Sequence, residues 1–135
     1  MFAAKQAKEI VVEVYNEIGI LYQISKIVAE KGVNIMAVDA DVDDQNAVIR
    51  LLTDDNLRAV EALEAQRYTP RQAAVVTVEL PNKPGLLETV TDRLARASID
   101  IRHLSATALL NQDKCLVLLA TSDDQKAIPV LNEKT

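Results

Sequence analysis

Two short loops of the chain carry the residues that are best suited to hold a small anion. One loop reads Asn16-Glu17-Ile18-Gly19-Ile20-Leu21, and the other reads Asn82-Lys83-Pro84-Gly85-Leu86-Leu87. Each follows a strand-like stretch and leads into a helical stretch, so each is expected at a helix N-terminus. A helix N-terminus presents unpaired amides and a partial positive charge. A carboxylate is a suitable ligand there, and glycine lets the backbone approach it closely.

The two loops belong to an internal repeat. The same spacing of 66 residues separates the four pairs Asn16/Asn82, Gly19/Gly85, Leu21/Leu87 and Asn34/Asp100. A shared offset at both ends of a helical stretch indicates two copies of one supersecondary unit. We therefore predict two domains, residues 1–71 and 72–135. Units of about 65 residues fold alone only marginally, so we expect the copies to pack on each other or on another chain.

Hydrophobic periodicity predicts the same elements in both copies. In the first copy, we predict a strand at 9–14, a helix that ends before Gly32, strands at 34–41 and 47–53, and a helix at 56–65. In the second copy, we predict strands at 74–80, 100–109 and 114–121. We also predict a helix at each position that corresponds to a helix of the first copy, and the last of these helices ends at residue 131. Asn16 and Asn82 are candidate helix N-caps, and Gly32 is placed for a left-handed C-terminal cap. Residues 66–72 are a linker or a last edge strand.

The second loop, followed after a helix by Ile99-Asp100-Ile101, resembles the ACT domain family. The first copy departs from the family pattern at Ile18, where proline is usual. The resemblance implies an α+β fold of two tandem ferredoxin-like βαββαβ units, each an antiparallel sheet with its helices on one face. It also implies regulatory binding of an amino acid at an interface between ACT units. Carried over, the ligand-binding residues are Asn16, Gly19, Ile20, Leu21 and Asn34, and Asn82, Gly85, Leu86, Leu87 and Asp100.

Each of these residues also has a purely structural explanation. The two glycines relieve crowding between strand and helix, the two loop asparagines cap helices, and Asn34 and Asp100 begin strands after a turn. Against this, an ammonium group would find hydrogen-bond acceptors on Asn34 and Asp100. An amino acid carries both a carboxylate and an ammonium. The functional interpretation therefore accounts for the glycine loops, which suit a carboxylate, and for Asn34 and Asp100, which suit an ammonium.

The sequence offers little other chemistry. His103 lacks partners at metal-ligand spacing, and Cys115 is interpreted as a small buried hydrophobe. A calcium loop that starts at Asp39 would need glycine at its sixth position and glutamate at its twelfth, where this chain has Asp44 and Arg50. We therefore predict no metal, no cofactor and no catalytic residues.

Composition excludes several classes of function. The net charge of −5 opposes binding to nucleic acid or to an anionic membrane. An RNA-binding version of a ferredoxin-like fold needs aromatic residues on its sheet, and aromatic residues make up only 3% of this chain. No apolar run is long enough to span a membrane, and the N-terminus lacks the apolar segment of a signal peptide. We therefore expect a cytoplasmic protein.

The sequence thus favours a non-catalytic regulatory protein that binds a small ligand, most simply an amino acid. We expect a homodimer, and a metabolic enzyme is a further partner that the resemblance suggests. The alternative is a pure dimerisation or docking module for a metabolic enzyme, without a ligand. A small enzyme is a third class, because one fold hosts many functions, but the sequence offers no nucleophile with a neighbouring base.

Overall fold

The structure, a computed structural model, describes residues 2–134. Its elements confirm the α+β class, with six strands and four helices in the described part of the chain. In chain order they are β1 (Ala3–Tyr15), α1 (Ile20–Glu30), β2 (Ile35–Asp43), β3 (Asn46–Thr53), α2 (Asn56–Ala65), β4 (Arg71–Pro81), α3 (Leu86–Arg96), β5 (Ile101–Thr107), β6 (Lys114–Thr121) and α4 (Asp124–Asn132).

The chain forms two compact units. The first, here called unit one, is Lys8–Ala73 and contains the first repeat. Unit two combines the described residues of 74–135 with those of 1–7. Strands β1 and β4 each contribute residues to both units. The predicted domain boundary after residue 71 stays a prediction.

Unit one has the strand order β2-β3-β1 followed by the start of β4. Strand β3 is antiparallel to both β1 and β2, so β1 and β2 run parallel to each other. Both helices pack on the same face of this sheet, because alternate residues of β1 and β3 share one core with the buried residues of α1 and α2. That core consists of Ile10, Val12, Ile20, Ile24, Val28, Val33, Ile49, Leu51, Ala59 and Leu63.

Unit two repeats the arrangement with the order β5-β6-β4, and the start of β1 lies next to β4. Strand β6 is antiparallel to both β4 and β5. Its helices also share one core with alternate strand residues, and that core includes Ala4. The core consists of Ala4, Val76, Val78, Leu80, Val90, Leu94, Ile99, Val117, Leu119, Ala127 and Leu131.

Strand β1 is longer than the sequence predicts, since it begins at Ala3 instead of residue 9. Its first residues are held in unit two by Asn132, whose Oδ1 accepts from the Ala4 amide at 2.8 Å and whose Nδ2 donates to the Ala4 carbonyl at 2.9 Å. The Arg93 guanidinium lies 4.7 Å from the centre of the Phe2 ring, which adds a cation–π contact. The N-terminal segment is therefore an edge strand of unit two.

Glycine ends α1 as predicted. Gly32 has a φ of 73°, in the left-handed region, and its amide donates to the Ala29 carbonyl at 2.9 Å. In the second repeat Ser98 takes the same place after α3 with a φ of 59°. Glycine carries no steric penalty in this conformation, whereas serine does. The C-terminal cap that the sequence predicts at Gly32 is confirmed.

Candidate ligand site at the repeated loops

The two repeated loops adopt the same backbone conformation. Gly19 and Gly85 have φ values of 88° and 89°, and each is the N-cap of its helix. The prediction that Asn16 and Asn82 cap these helices is wrong. Each asparagine lies three residues before the glycine N-cap, because the backbone turns through the left-handed region before the helix begins. The glycines are required by this turn, since other residues rarely adopt such φ values.

The helices that follow these loops lack a side-chain cap. Neither Gly19 nor Gly85 offers a side-chain acceptor to the first turn of α1 or α3. Helices α2 and α4, by contrast, are capped by Asp55 and Asp123, whose carboxylates accept from the third residue of each helix at 3.2 and 3.1 Å. The third residues of α1 and α3, Tyr22 and Glu88, have no such acceptor on their N-cap residue, so their amides are left for an anion.

The approach to both loops is open. A Cβ atom built on Gly19 or Gly85 would meet no described atom within 4 Å. These glycines are therefore not needed to relieve crowding between strand and helix. Their small size instead leaves space directly in front of the helix, where a ligand group would lie.

Each loop is joined to the hairpin of its own repeat by a main-chain bond. The Asn16 amide donates to the Gln45 carbonyl at 2.7 Å, and the Asn82 amide donates to the Asp113 carbonyl at 2.9 Å. Gln45 and Asp113 lie between the second and third strands of their repeats. The loop and the hairpin turn therefore form one end of each unit.

At this end of unit two the structure has a small pocket of about 240 Å³. Pockets for drug-sized ligands occupy about 300–1,000 Å³, so this one suits a smaller molecule. It brings together three of the predicted residues, Asn82, Leu86 and Leu87. It also adds residues that sequence reasoning missed, because only the fold joins the end of β5 to β6 at this loop: Ala106, Thr107, Ala108 and Cys115.

Charge distinguishes the two loops. Lys83 lines the pocket of the second loop, and the offset of 66 residues places Glu17 at the matching position of the first. A lysine favours an anion beside a helix N-terminus and a glutamate opposes it. The first turn of α3 also contains the acidic residue Glu88, which reduces this advantage. Comparing Glu17 with Lys83 in the sequence would have revealed the difference.

The apolar loop residues divide into core and surface. Ile20 is 8% exposed and belongs to the core of unit one. Its amide donates to the Glu17 carbonyl at 3.1 Å, so neither its side chain nor its amide is available to a ligand. Leu86 is half-buried against the core of unit two. Leu21 and Leu87, at 39% and 46% exposed, present their side chains at the surface beside the loops.

Asn34 and Asp100 lie at the opposite end of their units. Because β1 and β2 run parallel, the start of β2 is separated from the loop after β1 by the length of α1. That helix has 11 residues, which corresponds to about 16 Å. The second repeat has the same geometry, with α3 between Gly85 and Asp100. Within one unit, the structure therefore does not bring Asn34 or Asp100 together with the loop.

Asn34 and Asp100 are fixed through their backbones. The Asn34 amide donates to Asp54 Oδ1 at 2.9 Å, and its carbonyl accepts from the Asp54 amide at 3.1 Å. The Asp100 amide donates to Ser122 Oγ at 2.9 Å, and its carbonyl accepts from the Ser122 amide at 2.9 Å. Both residues are exposed at the surface.

Other candidate chemistry is sparse in the described part of the chain. No group of three or more His, Cys, Asp or Glu side chains there is placed to hold a metal ion. Cys115 is a half-buried free thiol in the wall of the unit-two pocket. Between residues 2 and 134, no helix has the length and apolar character needed to cross a membrane.

Neither a comparison with protein-family models nor one with curated proteins finds a match. Solved structures do match along nearly the whole chain. Protein BT0572 from Bacteroides thetaiotaomicron is 25% identical with a TM-score of 0.88, over 96% of this chain and 88% of that one.

Two further matches are structures with named functions. The regulatory subunit of aspartate kinase from Thermus thermophilus is 15% identical with a TM-score of 0.66, over 96% of this chain and 93% of that one. A structure of aspartokinase alpha and beta subunits is 20% identical with a TM-score of 0.64, over the same shares of the two chains. These likenesses show that the chain shares its fold with subunits of aspartate kinases, in agreement with the fold that the resemblance predicts.

Proposed function

We propose that this chain is a non-catalytic regulatory protein that binds a free amino acid at the helix N-termini behind Gly19 and Gly85. One observation carries the proposal. Helices α1 and α3 begin at left-handed glycines without a side-chain cap, whereas Asp55 and Asp123 cap α2 and α4. The uncapped amides thus occur at the two repeated loops, where the carboxylate of an amino acid can accept hydrogen bonds from them.

The fold supports treating each unit as one ACT-like βαββαβ domain. The final strand of unit one is then the start of β4, where Arg71 Nη2 lies 3.4 Å from Glu13 Oε1. The final strand of unit two is the start of β1, where Thr77 Oγ1 donates to the Lys5 carbonyl at 3.5 Å.

A complete site is proposed to combine two ACT-like units. A single amino acid cannot contact both Gly85 and Asp100 of one unit, since α3 lies between them. We propose that the loop of one unit binds the carboxylate and that the strand start of another unit binds the ammonium group. Asp54 and Asp100, which lie at the strand-start ends of the two repeats, are proposed as carboxylates for the ammonium group.

A regulatory protein acts on a partner. The aspartate kinase structures that resemble this chain are named as regulatory subunits or as enzyme subunits. By analogy, we propose that this chain acts on a metabolic enzyme and that it works as a homodimer.

A thermal-shift screen of the full-length chain against the twenty common amino acids tests the proposal. A ligand at about one hundred times its dissociation constant adds roughly 2.7 kcal/mol to stability. For a protein of this size, that corresponds to a rise in Tm of about 8 °C or more. We expect one amino acid, or a few related ones, to raise Tm. A Tm that none of the twenty changes contradicts amino-acid binding.

One observation favours the alternative, a docking module without a ligand. Strand β2 is an outer strand of its sheet. Three of its apolar residues, Met36, Val38 and Val42, are each at least 52% exposed. Exposed apolar side chains on an edge strand are typical of a surface that pairs with another chain. Sedimentation would distinguish the two functions: dimerisation without any response to amino acids supports docking, and dimerisation with such a response supports ligand binding.

A further inference from the structure

The side chain of Asn82 joins the second repeated loop to the hairpin loop between β5 and β6. That hairpin loop comprises residues 108–113. Asn82 Nδ2 donates to the Leu109 carbonyl at 2.8 Å and to the Gln112 carbonyl at 3.0 Å. An amide nitrogen has two hydrogens, so these two bonds use its full capacity as a donor. The side chain that the resemblance assigns to a ligand is therefore already bonded to the protein.

The hairpin loop that Asn82 holds is a separate turn with its own internal bond. The Gln112 amide donates to the Leu109 carbonyl at 3.2 Å, which closes a four-residue turn. Asn111 within it has a φ of 67°, a conformation that asparagine tolerates better than most residues. Leu109 accepts from both Asn82 and Gln112, so the turn and the anchoring bonds share one carbonyl.

The first repeat lacks this arrangement. Its hairpin turns through Asp44 and Gln45 alone, since β2 ends at Asp43 and β3 begins at Asn46. Asn16 meets that turn through its backbone amide, which donates to the Gln45 carbonyl at 2.7 Å. The side-chain anchor thus accompanies the longer hairpin of the second repeat, and Asn16 is a natural control for Asn82.

The anchored loop continues directly into one wall of the pocket of unit two. Ala106, Thr107 and Ala108 line that pocket, and Ala108 is the first residue of the hairpin loop. Asn82 lines the same pocket. A change in the position of residues 108–113 therefore changes the width of the pocket.

We propose that Asn82 is a positioning residue that fixes the β5–β6 loop as a wall of the pocket, and that its side-chain Nδ2 donates to this loop and not to a ligand. The positioning role stands on the geometry of the protein alone. Its effect on binding rests on the proposed function.

Amide hydrogen exchange of the full-length chain without any added ligand tests the positioning role. Asn82→Ala removes both donors, and Asn82→Asp removes them while it keeps the shape of the side chain. Because a net hydrogen bond is worth about a factor of five in an equilibrium and two are lost, we expect at least tenfold faster exchange at Gln112 and its neighbours in both variants. Asn16→Ala should leave exchange at residues 44–46 unchanged. Unchanged exchange at residues 108–113 in both Asn82 variants overturns the proposal.

Exchange at the core of unit two separates this local effect from unfolding. We expect the amides of Val78 and Leu119 to remain as slow as in the unmodified chain. If both Asn82 variants instead lose protection throughout unit two, Asn82 is needed for folding and the proposed local role is overturned.

Binding measurements with the amino acid that gives the largest thermal shift complete the test. We expect both Asn82 variants to bind it at least threefold more weakly and to show the faster loop exchange before it is added. Weaker binding without any change in loop exchange would identify Asn82 as a direct ligand contact and overturn the proposal. A screen in which no amino acid binds overturns the proposed function, while the exchange result for the ligand-free chain still decides the positioning role.

Discussion

A carboxylate oxygen of Asp54 accepts a hydrogen bond from the backbone amide of Asn34 at 2.9 Å. In the second repeat, the Ser122 hydroxyl takes the same place beside the Asp100 amide, also at 2.9 Å. Each pair therefore contains one carboxylate, on Asp54 in one repeat and on Asp100 in the other. The charge difference between Asn34 and Asp100, which by itself favours a tighter site at Asp100, is offset by the neighbouring residue.

The first prediction concerns the position of the single carboxylate in each pair. Asn34→Asp puts a second carboxylate beside Asp54, and like charges at the surface cost about 0.5 kcal/mol. We expect Tm to fall by about 2 °C in a thermal melt at low salt. The double variant Asn34→Asp with Asp54→Ser reproduces the pair of the second repeat and should recover most of the loss. A double variant that melts no higher than Asn34→Asp alone would argue against a charge effect.

The second prediction concerns Lys83 and Glu17, which occupy matching positions in the two loops. Lys83→Glu should weaken the binding of a carboxylate ligand to the second loop two- to fivefold, because charges near a helix N-terminus contribute about 0.3–1 kcal/mol. Glu17→Lys should strengthen binding to the first loop by a similar factor. Calorimetry at low and high salt measures both, and the differences should shrink at high salt. Equal affinities in the unmodified chain and in both variants would show that the ligand does not bind at these loops.

The third prediction concerns the N-terminal strand. Asn132→Ala removes two hydrogen bonds to Ala4, and each contributes about 1 kcal/mol. We expect exchange of the amides at residues 3–7 to become at least tenfold faster. The slow amides of unit one serve as the internal reference, because Asn132 belongs to unit two. Equally slow exchange at residues 3–7 in the variant would assign the docking of this strand to other contacts.

Much of the fold could be predicted because its signals are local. The repeated loops, the alternation in the strands and the glycine at the end of α1 each specify a conformation through neighbouring residues. The N-terminal part of β1 could not be predicted this way. Residues 3–8 read Ala-Ala-Lys-Gln-Ala-Lys, which favours helix, and only pairing with β4 makes them a strand.

The sequence predicts less of the candidate site than of the fold. The glycines were found because their type and position repeat, but Asn16 and Asn82 were mistaken for caps because the left-handed turn moves the cap to glycine. Asn34 and Asp100 enter the predicted site only through the family resemblance, and the parallel strands place each of them at the far end of its unit from that unit's own loop. The bonds of Asn82 depend on where the β5–β6 loop folds, which no local pattern specifies.

The fourth prediction uses two glycines with similar backbone conformations. Gly85 and Gly32 have φ values of 89° and 73°, and a Cβ atom on either meets no described atom within 4 Å. Replacing each with alanine should cost stability by a similar amount, about 1 kcal/mol, because alanine is strained at these angles. Only Gly85→Ala places a methyl group in front of an uncapped helix, so only this variant should lose affinity for the amino acid. Equal affinities in the two variants would make Gly85 purely structural.

The central claim is that an amino acid binds at the repeated loops. Amide hydrogen exchange of the full-length chain, with and without the amino acid that gives the largest thermal shift, tests it most directly. We predict that the ligand slows exchange at residues 21–22 or 86–88, in the first turns of α1 and α3, because its carboxylate occupies those amides. The Gln23 and Thr89 amides that follow already donate to the Gly19 and Gly85 carbonyls. Slower exchange confined to other surfaces, such as the groove between α1 and α2 that Lys26 and Ala62 line, with no change at either loop, would contradict the claim.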